Sequence, residues 1–249
     1  MFRLQTSWVG VTLLVVLSLG AAACQPIQAG RFGRTETGAY RDVMKVDDRG
    51  NTTVDRANLA TALAPISTGV LSAEEVDGLL WMREEEKLAH DVYVTLYEKW
   101  NLPIFQNISQ SELTHTDAVK SLLDRYSLAD PAVGKDVGVF VNPTLQGLYD
   151  QLVTQGGQSL ADALVVGATI EDLDIVDLQT RLAQTEKADI QLVYRNLMKG
   201  SRNVPLLQLL SHPMLAGDPA SVCARTATVP APTTAGHLKS AARHRAWVE

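Results

Sequence analysis

Glu112 and His115 stand three residues apart in "SELTHTDAVKSLL", residues 111–123. On a helix that spacing puts a carboxylate and an imidazole on one face, a turn apart. The pair has the chemistry of a metal ligand set, since carboxylate with imidazole suits iron or manganese, and zinc as well. The face is the wrong one for solvated charge. Glu112 and His115 share the register of Ile108, Val119, Leu122 and Tyr126, a stripe that should be buried.

The anomaly recurs twice. Glu86 interrupts the apolar series Leu79, Met82, Ala89, Tyr93, Leu96 and Trp100. Glu171 and Asp174, again three apart, interrupt Leu164, Gly167, Leu178 and Leu182. Glu84 and Glu85 fall off their stripe and are expected in solvent. Burying an unpaired carboxylate costs several kcal/mol or forces its protonation. Two readings make the pattern tolerable. Either the acids pair with Arg, Lys, His, Tyr or water, or they share a cation of one or two ions. Di-metal carboxylate bundles take a Glu from each of two helices and Glu-x-x-His from each of the other two. Three stripes fit that recipe. The fourth, Ile190, Tyr194, Leu197, Ser201 and Val204, has Ser and Val where Glu and His would stand.

The elements that would carry these stripes are helices. "SAEE", Ser72 to Glu75, is a capping box and opens a helix expected over about 72–100, ending near Pro103. "NISQ" marks the next start, giving about 107–127. Asn142 and Pro143 open a shorter helix to about 155. Ser159 caps one over 159–184, and the last spans 186–203. Apart from "VGVFV", nothing has a strand pattern. The expectation is all-α, a four-helix bundle with an extra short helix in the crossover between the second and third long helices.

The flanks differ in character. Residues 8–19 are a short apolar run behind Arg3, followed by "GAAACQ". This reads as an export signal over residues 1–24, with an uncleaved anchor as the alternative. Cys24 also fits the bacterial lipoprotein pattern, in which it would be lipidated and hold the chain to a membrane. Ala21 stands where that pattern usually has Leu. The expected location is periplasmic, envelope-bound or secreted. Residues 25–69 have no sustained period and read as a flexible linker. Residues 204–249 hold five of the ten prolines and read as a divergent tail. The net charge of −6 and the lack of a basic patch argue against a nucleic-acid partner.

"MREEEKLAHDVYVTLYEKW", "NISQSELTHTDAVKSLLDRY", "GATIEDLDIVDL" and "VYRNLMKGSRN" resemble, in order and spacing, an uncharacterised family of bacteria and archaea, domain of unknown function 2202. The resemblance covers about residues 70–203. It implies a ferritin-like fold within the ferritin and rubrerythrin superfamily, and no established activity. By that likeness Glu86, Glu112 and His115 would hold one ion. Glu171, with Asp174, would bridge or hold a second. Tyr93, seven residues after Glu86, would support them. Oxidation of Fe(II) or reduction of peroxide is the chemistry implied, and such bundles often pair as homodimers. The chain departs from the family where "GSRN" is followed by Val204 and Pro205 instead of His and more helix. A shifted reading frame near codon 204 or natural divergence would explain this, and translating the other two frames separates them.

Overall fold

The computed structural model describes residues 42–47 and 51–204. The export signal, Cys24 and the tail beyond Val204 lie outside the described residues. Those described are predominantly helical. A two-stranded antiparallel sheet, β1 (Met44–Val46) and β2 (Thr52–Val54), precedes six helices. These are α1 (Arg56–Leu63), α2 (Ala73–Trp100), α3 (Pro103–Arg125), α4 (Pro143–Gly156), α5 (Leu160–Leu182) and α6 (Ala188–Ser201). None of the described helices is long and apolar enough to cross a membrane.

Local chemistry explains most boundaries. Ser72 and Glu75 close the capping box reciprocally at the start of α2. Asn142 accepts from the Thr144 N–H with Pro143 at the first position of α4. Ser159 accepts from the Asp162 N–H at the start of α5. The start of α3 corrects the sequence expectation. The helix begins at Pro103, a full turn before "NISQ", behind Leu102, which makes no side-chain cap. Asn101 takes a left-handed conformation, φ 49°, and ends α2. "NLP" is therefore both a stop and a start: Pro103 cannot continue α2 but pre-sets φ for α3.

Two further expectations are corrected. Part of the segment read as linker is ordered structure. Met44 pairs with Val54 across the sheet, α1 follows, and Val43, Met44, Val54, Leu59 and Leu63 are buried. Three-residue strands are too short to display an alternation, so they left no periodic signal. "VGVFV" forms no strand. It lies in the connection between α3 and α4, where Gly138 takes φ +78°.

Packing divides into two apolar cores. One gathers Leu79 and Met82 of α2, Val119 and Leu122 of α3, Leu178 of α5, most of the buried face of α6, and the hairpin and α1. The other gathers Val92 and Leu96 of α2, Phe105 and Ile108 of α3, Leu145 and Leu152 of α4, and residues 163–166 of α5. The shared clusters run the α2 start with the α3 end, and the α2 end with the α3 start, so the two helices are antiparallel. Between the cores, α2, α3 and α5 each pass through a stretch whose buried side chains are largely polar.

Candidate metal centre

Glu86, Glu112 and His115 meet in that polar layer. All three are buried, with exposures of 1%, 3% and 1%. Their ligand atoms lie within 4.8 Å of one another. His115 Nδ1 is 3.0 Å from Glu112 Oε2 and 3.5 Å from Glu86 Oε2. The i, i+3 spacing on α3 turns both side chains inward, and Glu86 reaches them from α2.

Glu171 and Asp174, from α5, border this trio without joining its ligand cluster. Glu171 Oε1 accepts from the Tyr93 hydroxyl at 2.6 Å, and that hydroxyl also lies 3.0 Å from the Gly167 carbonyl. Asp174 Oδ2 accepts from Ser201 of α6. Ser201 is thus a hydrogen-bond donor to an acid.

The electrostatics are those of charge without enough countercharge. Burial raises Glu86 to about 7, with His115 pulling against it. Burial, then the neighbouring Glu112 charge, holds Glu171 well above the ordinary carboxylate range. Burial, then Glu86, does the same to Asp174. Burial works against a charged His115, but Glu112 and Glu86 outweigh it and hold the imidazole well above its usual value. Burial and Glu171 raise the Tyr93 hydroxyl. Four acids share one imidazole, and the partners they do have are His115, Tyr93 and Ser201, not Lys or Arg.

Among the described residues, Glu86 Oε1, Glu112 Oε1 and Asp174 Oδ1 are buried with no hydrogen-bond partner. Buried polar atoms are normally satisfied, so three orphaned carboxylate oxygens in one layer need an explanation. A bound cation would supply it. The donor set of carboxylate oxygens and one imidazole fits a divalent first-row metal.

Glu84 and Glu85, expected in solvent, are buried at 4% and 6%. Glu84 accepts from the Val141 and Asn142 N–H groups at 2.5 and 2.9 Å. Glu85 and Asp177 share the Trp81 indole N–H, at 3.1 and 2.8 Å. Burial and then Asp177 raise Glu85 well above the usual carboxylate range. Stripe reasoning missed both because α2 is covered on several sides, not one. The sequence reading also passed over Thr52, which stands 2.8 Å from His115 Nε2. No spacing rule relates a residue to a helix some sixty positions on.

Residues 75–208 match the family described as "Uncharacterized protein domain (DUF2202)". The chain belongs to this family. It is 59% identical over 133 residues to the uncharacterized protein MJ0754 of Methanocaldococcus jannaschii, covering 53% of this chain and 72% of that protein. The crystal structure of hypothetical protein MJ0754 superposes with a TM-score of 0.59 at 47% identity, spanning 66% of this chain and 97% of the other.

Proposed function

We propose that this protein is a ferritin-like metal-binding protein whose ion sits between Glu86, Glu112 and His115. Three orphaned carboxylate oxygens beside a buried imidazole carry the reading. Iron or manganese is the metal this donor set suits best. Glu112 and His115 hold it from α3 and Glu86 from α2. Asp174, with one buried oxygen that lacks a hydrogen-bond partner, and Glu171 would hold any second, weaker ion. A bound redox metal would supply Fe(II) oxidation or peroxide reduction. Tyr93 fixes Glu171 and keeps its proton, and the apolar cores on both sides exclude water. Cys24 and the apolar run before it support an exported location for it, in the cell envelope or outside it.

Elemental analysis of the purified chain, beside Glu112→Ala and His115→Ala, tests this. The parent is expected to carry iron or manganese and both variants to lose it. Equal metal content in all three would sink the assignment.

One observation favours a second reading. Each of the four acids already has a protein partner, Ser201 among them. On that reading the layer is a relic polar network in a non-catalytic envelope protein. It predicts a melting temperature that metal leaves unchanged, whereas binding to the native state alone would raise it.

A further inference from the structure

An imidazole that gives one nitrogen to a metal must keep its proton on the other, and a buried N–H needs an acceptor. At His115 the nitrogen facing the carboxylates is Nδ1. The proton therefore belongs on Nε2, and the acceptor at 2.8 Å is the Thr52 hydroxyl. Thr52 is on β2, outside the family-matched segment 75–208. We propose that Thr52 is a positioning residue for the metal centre, and that the β1–β2 hairpin is the part that sets the orientation and tautomer of His115. The proposal rests on the metal reading above.

The hairpin is fixed well enough to do this. Thr52 is 2% exposed, and its N–H donates to Ser111 Oγ at 2.9 Å, on the same helix as His115. The Val54 N–H donates to Thr114 Oγ1 at 3.3 Å. At the start of the other strand, the N–H groups of Val43, just before it, and Met44 both donate to Asn196 Oδ1, at 3.0 and 3.2 Å. The strands thus tie α3 to α6 directly over the imidazole. The ring is also walled in. A Cβ added to Gly200 would stand 2.8 Å from His115 Cε1 and Nε2, and 3.0 Å from Met44 Sδ. Glycine at 200 is what lets α6 close on the ring, and the hydroxyl of Thr52 then meets its outer nitrogen.

The test uses Co(II) as a spectroscopic probe on the full-length chain. Thr52→Val keeps the β-branched shape and suits the strand, so it removes the hydroxyl and little else. It is expected to weaken Co(II) binding about 10–100-fold and to shift the visible absorption of the bound ion. Thr52→Ser, which keeps the hydroxyl, is expected to bind and absorb like the parent. If Thr52→Val matches the parent in affinity and spectrum, the positioning role is overturned and the metal reading stands. If Thr52→Ser loses binding as Thr52→Val does, the hydroxyl is not the agent, and the proposal falls. A parent that binds no Co(II), or binds it equally after Glu112→Ala, overturns both. A second measurement needs no variant. In the Zn(II)-loaded parent, nitrogen NMR of His115 should show the proton on Nε2. Metal on Nε2 with the proton on Nδ1 overturns the proposal.

Discussion

Helix α2 carries two sets of buried charge side by side, and they are treated in opposite ways. The outer set is compensated throughout. Arg83 grips Asp130 with two nitrogens, at 2.9 and 3.0 Å, and donates to the Thr116 carbonyl. Lys87 pairs with Asp91 and donates to the Asp136 carbonyl. Glu84 caps two backbone N–H groups of the α3–α4 connection. The inner set, Glu86 with Glu112, Glu171 and Asp174, has one imidazole among four acids and leaves three oxygens unpaired. Charge is buried for structure in the first case, since each group answers a partner. In the second it is buried at a cost that the fold itself does not recover, which is the observation behind the proposed metal site.

The contrast can be broken from either side. The largest loss is expected at Arg83. Arg83→Met leaves the half-buried Asp130 carboxylate with only the Ala132 N–H to answer it and should cost about 3 kcal/mol in urea unfolding, with or without metal. Glu86→Met removes an acid that has no cationic side chain other than His115. Metal-free, it should leave stability unchanged or raise it by up to about 4 kcal/mol, while abolishing any rise in melting temperature on adding metal. A loss as large as that of Arg83→Met would show that the inner acids are structural after all.

Acidity sharpens the same point. The Glu86 carboxyl is raised from 4.5 to about 7 in the folded protein. The folded state therefore holds this proton more tightly than the unfolded chain. Its contribution to stability is complete below pH 4.5 and is lost as pH rises through about 7. His115, also raised, acts in the same direction at higher pH. The metal-free protein should show a falling urea midpoint between pH 5 and pH 8, and Glu86→Gln should flatten that fall. Metal competes with these protons, so loaded protein should gain stability over the same range. The smallest effect is expected at Tyr93→Phe. It removes one buried hydrogen bond to Glu171, worth about 1 kcal/mol, and should leave binding at the Glu86–Glu112–His115 trio intact in a Co(II) titration.

The inner set was legible in the sequence because each acid breaks an apolar period on its own helix. Glu86, Glu112, His115, Glu171 and Asp174 could be picked out one helix at a time; the structure buries all five and gathers Glu86, Glu112 and His115 into one cluster. The outer set was not legible. Glu84 looks solvated by register, and the N–H groups it takes, near Val141, belong to a connection with no period of its own, which also supplies Asp130 to Arg83 and the Asp136 carbonyl to Lys87. The hairpin failed for a related reason. Its strands are held by side chains of α3 and α6, not by a pattern within residues 42–54. What a helix imposes on itself can be read from spacing, whereas what irregular backbone receives from distant side chains cannot.

The α3–α4 connection has a further consequence, for solubility. Val133, Val137, Val139 and Val141 are all exposed along it. Such a valine-rich run, freed, is the kind of segment that pairs with copies of itself into aggregated strands. Three restraints keep its backbone engaged. Glu84 takes the N–H groups of Val141 and Asn142, Asp91 takes that of Gly138 at 2.9 Å, and Lys87 holds the Asp136 carbonyl while lying 4.6 Å over the Phe140 ring. At Gly138 the positive φ breaks the extended course, and a side chain there would strike the Tyr149 ring. The buried charges of α2 thus act as gatekeepers, holding an adhesive sequence in a shape that cannot template another chain.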